Sequence, residues 1–368
     1  MEYAPTLQLP SGKLPLPQFL PDATLGQIRG VDAKATKNCG IKSVMMNTFH
    51  LMQKPGSATI KSLGGLKHMT GWDGMIFMDS GGFQAYSLIR QNKKNGSLTD
   101  NGIIFYPGGE KRKYLLTPEK CIQLQISFGA DALFCLDDCT HVEESPNEQI
   151  KSVERTIHWA SRCKQEYERL MEEKKLAGEN QPKLFGVIQG GDSPDLRKQC
   201  ADALLEIGFD GYGYGGWPLD SQNKLVAETL QLVRDLVPAI YPLHALGIGH
   251  PPYVVQCYQM GYRLFDCAMP TRDARHGRLY RFAEAIPSVT TTNNDWFAYE
   301  YINDQKHIKS SQPIDTGCSC EVCANYSAGY LRHLFKINDS LYQRLASIHN
   351  MRFMARLMDV LRVDPSIA

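Results

Sequence analysis

The stretch ADALFCLDD, residues 130–138, is an apolar run of strand length that ends on two carboxylates, Asp137 and Asp138. Its neighbours repeat the pattern. Upstream, KSVMMNTF (42–49) carries Asn47 and MIFMDS (75–80) carries Asp79. Downstream, KLFGVIQGG (183–191) reaches Gln189, DGYGYGGW (210–217) reaches Gly215-Gly216, LHALGIG (243–249) reaches Gly249, and RLFDCAMP (263–270) carries Asp266. With QFLP (18–21) these make eight runs. Amphipathic segments lie between several of them. Thr117-Pro118-Glu119 opens one helix, with Thr117 as N-cap and proline in the first turn. Residues 146–176 place Ile150, Val153, Ile157, Ala160 and Cys163 at helical spacing, and 194–207, 222–236 and 251–261 read as helices too.

Strands alternating with helices imply a parallel sheet. Eight of them predict an α/β protein built as a (β/α)₈ barrel, with a doubly wound sheet as the alternative. Polar residues and glycines at the strand ends favour the barrel, because closure brings those ends to one face. Residues 90–114 are polar and turn-rich and read as an inserted hairpin. Residues 288–317 are irregular and lead into a cysteine cluster. The expected division is a barrel over 1–287, a zinc-binding insertion over 288–350, and a C-terminal helix over 351–368 that packs back on the barrel.

Forty basic side chains face thirty-nine acidic ones, a net charge of +1. No global field attracts a polyanion, so any nucleic-acid binding must come from local patches. No apolar run reaches the roughly 18 residues of a membrane span, and the N-terminus lacks the pattern of a secretory signal. Eight of the eleven cysteines are scattered singly through apolar segments, which points to a reducing cytosol and a cytoplasmic location.

The other three form CSCEVC: Cys318, Cys320 and Cys323. His349 follows on a helical segment, with His307 and His333 as competitors for the fourth ligand. Three thiolates and an imidazole fill a tetrahedral zinc site with no open position, so the ion would be structural. Asp79 precedes Gly81-Gly82, which allow close backbone approach, and Phe83, which offers an aromatic face. Asp137, Gln189 and the backbone at Gly215-Gly216 supply donors and acceptors for a flat, purine-like ligand. Asp79 and Asp266 match glycosyl chemistry, one as nucleophile at an anomeric carbon and the other as acid/base at the leaving group. Arg272, Arg275, His276 and Arg278 follow Asp266 within twelve residues and suit phosphates.

Together these stretches resemble the tRNA-guanine transglycosylases, the queuine tRNA-ribosyltransferase family. The resemblance rests on NTFHLMQKPG (47–56), GWDGMIFMDSGGFQ (71–84), LTPEKCIQLQISFGADALFCLDDCT (116–140), FGVIQGG (185–191), GIGHP (247–251), LFDCAMPTRDARHG (264–277) and CSCEVC with IHN (348–350). It implies an irregular (β/α)₈ TIM barrel with a C-terminal zinc-binding subdomain, Zn²⁺ being held by Cys318, Cys320, Cys323 and His349. It also implies exchange of the wobble guanine in a tRNA anticodon loop for a 7-deazaguanine, queuine or a queuosine precursor. Asp266 would be the nucleophile, oriented by Asn47, and Asp79 the acid/base. Phe83 would stack on the base, Asp137, Gln189 and Gly216 would read it, and Cys139, Trp217 and Leu246 would line the pocket. Arg272 and Arg275 would grip RNA, and the chain would form a homodimer. The chain departs from the pattern after Gly216: Trp217-Pro218-Leu219-Asp220-Ser221 lacks the family glutamate, with Asp220 one residue earlier as a possible replacement. A non-catalytic tRNA-binding partner subunit and a relative that inserts deazaguanine into DNA are the alternatives.

Overall fold

A computed structural model describes residues 4–107, 113–140, 144–283 and 295–363. The apolar runs become eight strands: β1 (Gln18–Pro21), β2 (Ser43–Asn47), β3 (Met75–Asp79), β4 (Ala132–Phe134), β5 (Lys183–Ile188), β6 (Gly211–Tyr214), β7 (Leu243–Ala245) and β8 (Leu264–Cys267). They pair in parallel in the order β1-β8-β7-β6-β5-β4-β3-β2. The ring closes just past β1, where Asp22 bridges Met45 and the Ala23 N–H donates to the Met45 carbonyl at 2.7 Å. The fold is the barrel. Both faces of its strands are covered, which is why they read as continuous apolar runs.

The core has two layers. Inside the ring, Leu20, Met45, Phe77, Phe134, Phe185 and Leu264 form one cluster. Leu9 and Leu14, from the antiparallel hairpin Thr6–Leu9 and Gly12–Pro15, join it. The hairpin lies across the N-terminal strand ends, since the Ser11 N–H donates to Asp131, just before β4, at 3.0 Å. A larger cluster fills the space between strands and helices. Three helices begin alike: Thr117, Ser145 and Ser193 each cap a helix that has proline in its first turn, accepting from the N–H three residues on.

The helix Pro146–Glu173 departs from the predicted stripe in its first turn. Ile150 is 41% exposed, and Gln149 and Ser152 are buried beside it. Their polar groups explain the choice: Gln149 accepts from Thr140 Oγ1 at 2.6 Å, and Ser152 donates to the Asp138 carbonyl at 2.5 Å. The segment read as a hairpin is a three-stranded antiparallel sheet of Gly96–Thr99, Gly102–Phe105 and Tyr114–Leu116. Past β8, strand Arg278–Phe282 pairs with Phe297–Tyr301, and helix Ser340–Val363 runs unbroken through residues 350 and 351. In that helix the buried Asn350 donates to the Pro270 and Arg278 carbonyls at 2.9 and 3.0 Å and accepts from the Tyr280 N–H at 2.9 Å. Residues 288–294 and 364–368 of the expected divisions lie outside the described residues.

Candidate active site and metal centre

The strand ends enclose a cavity of about 690 Å³, lined by Asn47, Asp79, Phe83, Asp137, Cys139, Gln189, Gly216, Trp217, Leu246 and Asp266 among others. Every base-pocket and catalytic position expected from the sequence is thus on one face. Gly249 is not. A Cβ there would lie 2.3 Å from Cys267 Cβ, so that glycine serves close packing of β8.

Asp79 ends β3 beside β2, and Asn47 Nδ2 donates to its Oδ2 at 2.6 Å. This corrects the expected role of Asn47: its side chain holds Asp79, not Asp266. The two strands run in register, so residues 47 and 79 are direct neighbours. Burial raises the Asp79 carboxyl to about 7, and the nearby Asp137 and Asp266 charges add to the rise. Asp137 is also pushed up, to about 6, chiefly by burial. Its Oδ2 accepts from Gln189 Nε2 at 2.7 Å and its Oδ1 from Ser80 at 3.3 Å. Small residues permit these contacts. A Cβ on Gly82 would come within 2.6 Å of the Asp137 carbonyl, and one on Gly215 within 2.5 Å of Gln189 Nε2.

Asp266 is wired differently. Its Oδ1 lies 2.9 Å from His244 Nε2 and accepts from the Gly247 N–H at 3.1 Å. His244 lies inside β7 and was not singled out from the sequence. A histidine within an apolar strand reads as core, and only strand pairing shows it facing Asp266. Two more residues were missed. Asp22, at the end of β1, lines the cavity, and burial raises its carboxyl, with Asp266 contributing. Arg197 is fully buried and donates to the Gly191, Ile188 and Gly215 carbonyls, tying the ends of β5 and β6 together.

Phe83 and Trp217 are each 37% exposed and meet edge to face, with ring centroids 5.4 Å apart. Asp220 also borders the cavity, but it is exposed and its Oδ1 accepts the Gln222 and Lys224 N–H groups at 2.8 and 2.9 Å. It is engaged in the turn of its own loop.

The four cations after Asp266 do not act as a block. Arg272 and His276 are exposed, and Arg275 is half-buried with Nη1 unpartnered among the described residues. Arg278 instead pairs with the buried Asp273, which also accepts from Tyr280 Oη at 2.8 Å. Arg272 and Arg275 sit on helix Met269–Arg275, directly after β8.

Cys318, Cys320, Cys323 and His349 converge, with ligand atoms within 4.8 Å of one another, and could hold a metal ion. Burial and orientation fit: His349 Nε2 bonds the Tyr280 carbonyl at 2.8 Å, which turns Nδ1 toward the Cys320 and Cys323 sulfurs at 3.7 and 3.3 Å. The competing histidines are elsewhere. His307 pairs with Glu300 at 2.9 Å, and His333 is exposed. Among the described residues no helix is long and apolar enough to cross a membrane.

A barrel whose open face presents two differently held carboxylates beside a slot for a flat heterocycle is built for glycosyl transfer. Sequence comparison narrows this. The queuine tRNA-ribosyltransferase family matches residues 4–364, and the chain belongs to that family. A queuine tRNA-ribosyltransferase of Psychrobacter sp. (strain PRwf-1) is 35% identical over 97% of this chain and 88% of its own length. One from Pseudoalteromonas translucida (strain TAC 125) is 36% identical over 95% and 86%. A putative queuine tRNA-ribosyltransferase of Archaeoglobus fulgidus is 36% identical over 97% and 91%.

Proposed function

We propose that this chain is a tRNA-guanine transglycosylase, a pentosyltransferase that replaces the wobble guanine of tRNA with a 7-deazaguanine through a ribosyl-aspartate intermediate. Family membership supports the reaction, and the unequal surroundings of the two strand-end carboxylates carry the mechanism. Asp266 attacks the ribose anomeric carbon. Asp79, raised to about 7, keeps a proton in a large share of molecules near neutral pH and can deliver it to the departing base. The incoming base then reverses the step, with Asp79 taking its proton. The pair Asp137–Gln189 and the Gly216 backbone read the base edge, and the rim aromatics Phe83 and Trp217 cover its face. Arg272 and Arg275 hold the RNA backbone next to the nucleophile. Zn²⁺ is the ion we assign to the three thiolates and His349; four protein ligands leave no place for substrate, so its chemistry there is structural. All eleven cysteines are free, which supports a reducing cytosol as the site of action.

The test is a covalent adduct. Wild-type protein mixed with tRNA should give a denaturation-stable complex, mapped by peptide mass to Asp266, and Asp266→Asn should lose both adduct and guanine exchange. Wild-type exchange by Asp266→Asn would overturn the mechanism.

A further inference from the structure

The two oxygens of Asp266 have unlike surroundings. Oδ1 meets His244 Nε2 at 2.9 Å and the Gly247 N–H at 3.1 Å. Oδ2 has no donor in any hydrogen bond among the described residues, and the carboxylate is 18% exposed at the cavity wall. The lone pairs of Oδ1 are committed, which leaves Oδ2 the better nucleophile.

His244 is fully buried. Its ring lies edge-on to Phe134 and Phe77, with centroids 5.4 and 6.5 Å away. Its Nδ1 is buried without a hydrogen-bond partner among the described residues. An unpaired buried nitrogen costs stability that a phenylalanine in the same aromatic nest would not incur. Among the described residues the ring's only polar contact is Asp266.

We propose that His244 is a positioning residue for the transfer: its Nε2–H, with the Gly247 N–H, pins Oδ1 so that Oδ2 attacks. The inference rests on Asp266 being the nucleophile. In the first half-reaction the Oδ2–C1′ bond forms and the bond from C1′ to the guanine nitrogen breaks. The electron pair of that bond stays on the base, which takes the Asp79 proton. Asp266 becomes a neutral ester whose carbonyl oxygen is Oδ1. In the second, the incoming base gives its proton to Asp79 and bonds C1′, and the Oδ2–C1′ pair returns to the carboxylate. The charge that reappears spreads onto Oδ1, where two fixed donors already point. The pair therefore aims Oδ2 in the first half-reaction and cradles the departing carboxylate in the second.

Rapid-quench measurement of adduct formation and resolution, on the full chain with tRNA, tests this. His244→Phe fills the space and cannot donate. Adduct resolution, in which charge returns to Oδ1, should slow at least about 100-fold, the loss typical of one such donor, and adduct formation should slow as Oδ2 loses its aim, while KM for tRNA stays within about threefold. His244→Gln can place an amide N–H near the ring Nε2 position and should regain at least tenfold over His244→Phe. Wild-type rates in His244→Phe would sink the proposal. So would equal slowing in both variants with equal falls in Tm, the mark of a packing role. If the wild-type adduct maps to a residue other than Asp266, the underlying reading fails instead, and the two failures are distinct.

Discussion

Of the five aspartates that line the cavity, Asp22, Asp79, Asp137 and Asp266 lie at or just past the ends of barrel strands and Asp220 lies in a loop. Asp79 is raised from 3.8 to about 7, so the folded protein holds this proton across that window while the unfolded chain releases it. The stability cost of a charged Asp79 is therefore absent below about 4 and complete above about 7. The rise corresponds to on the order of 4 kcal/mol, shared with its coupled neighbours. Asp79→Asn should accordingly melt several degrees above wild type at pH 8, the gap closing by pH 4, although it cannot turn over. In the wild type, adduct formation should slow as pH rises through about 7, because the acid form of Asp79 is lost. Equal Tm values at pH 8 would remove the case for a strained carboxyl. The sequence showed which residues reach this face, since each ends an apolar run and closure gathers the ends. It did not show how they pair. Asn47 and Asp79 become partners through the register of β2 and β3, and His244 meets Asp266 across β7 and β8. Such contacts depend on strand order and stagger, which local composition does not encode.

At the scale of the element, the segment after β6 shapes the rim of the cavity. Residues 217–226 fold as a small hairpin: Leu219 bridges Leu225, and the Val226 N–H donates to the Pro218 carbonyl at 3.1 Å. The turn uses Oδ1 of Asp220 as its own internal cap and leaves the carboxylate exposed at the rim, where solvent screens an ion contact. That inward use was not legible, because an aspartate in a polar loop looks the same whether it faces ligand or backbone. The cationic 7-aminomethyl-7-deazaguanine should then hold little advantage over its uncharged 7-methyl analogue. We expect kcat/KM values within about fivefold, the scale of an exposed ion contact. A preference above about fiftyfold would mean that a carboxylate does meet the substituent. Trp217, edge-on to Phe83, makes this rim aromatic on two sides.

Across the whole molecule, the Cys3His cluster and the helix that follows Asp266 are joined by helix Ser340–Val363. His349 belongs to the cluster and the adjacent Asn350 holds the Pro270 carbonyl, four residues beyond Asp266. Tyr342, in the same helix, donates to the Ala274 carbonyl at 3.0 Å, beside Arg275. The lobe around this cluster also exposes Tyr301, Ile308, Tyr330 and Ile337, apolar side chains that we propose form the interface of the homodimer expected from the sequence. Removing the ion with a chelator should give monomers by light scattering and weaken tRNA binding at least tenfold, while circular dichroism still reports the barrel. Dimers that persist with unchanged affinity would separate the lobe from both roles. At the other end of the molecule, Leu9 and Leu14 of the N-terminal hairpin pack into the inner core and stopper the ring from below. On the proposed mechanism the outgoing guanine and its replacement share the strand-end cavity in turn, with the ribosyl group held on Asp266 between them. One base slot then makes the proposed exchange sequential: the first base has to leave it before the second can enter.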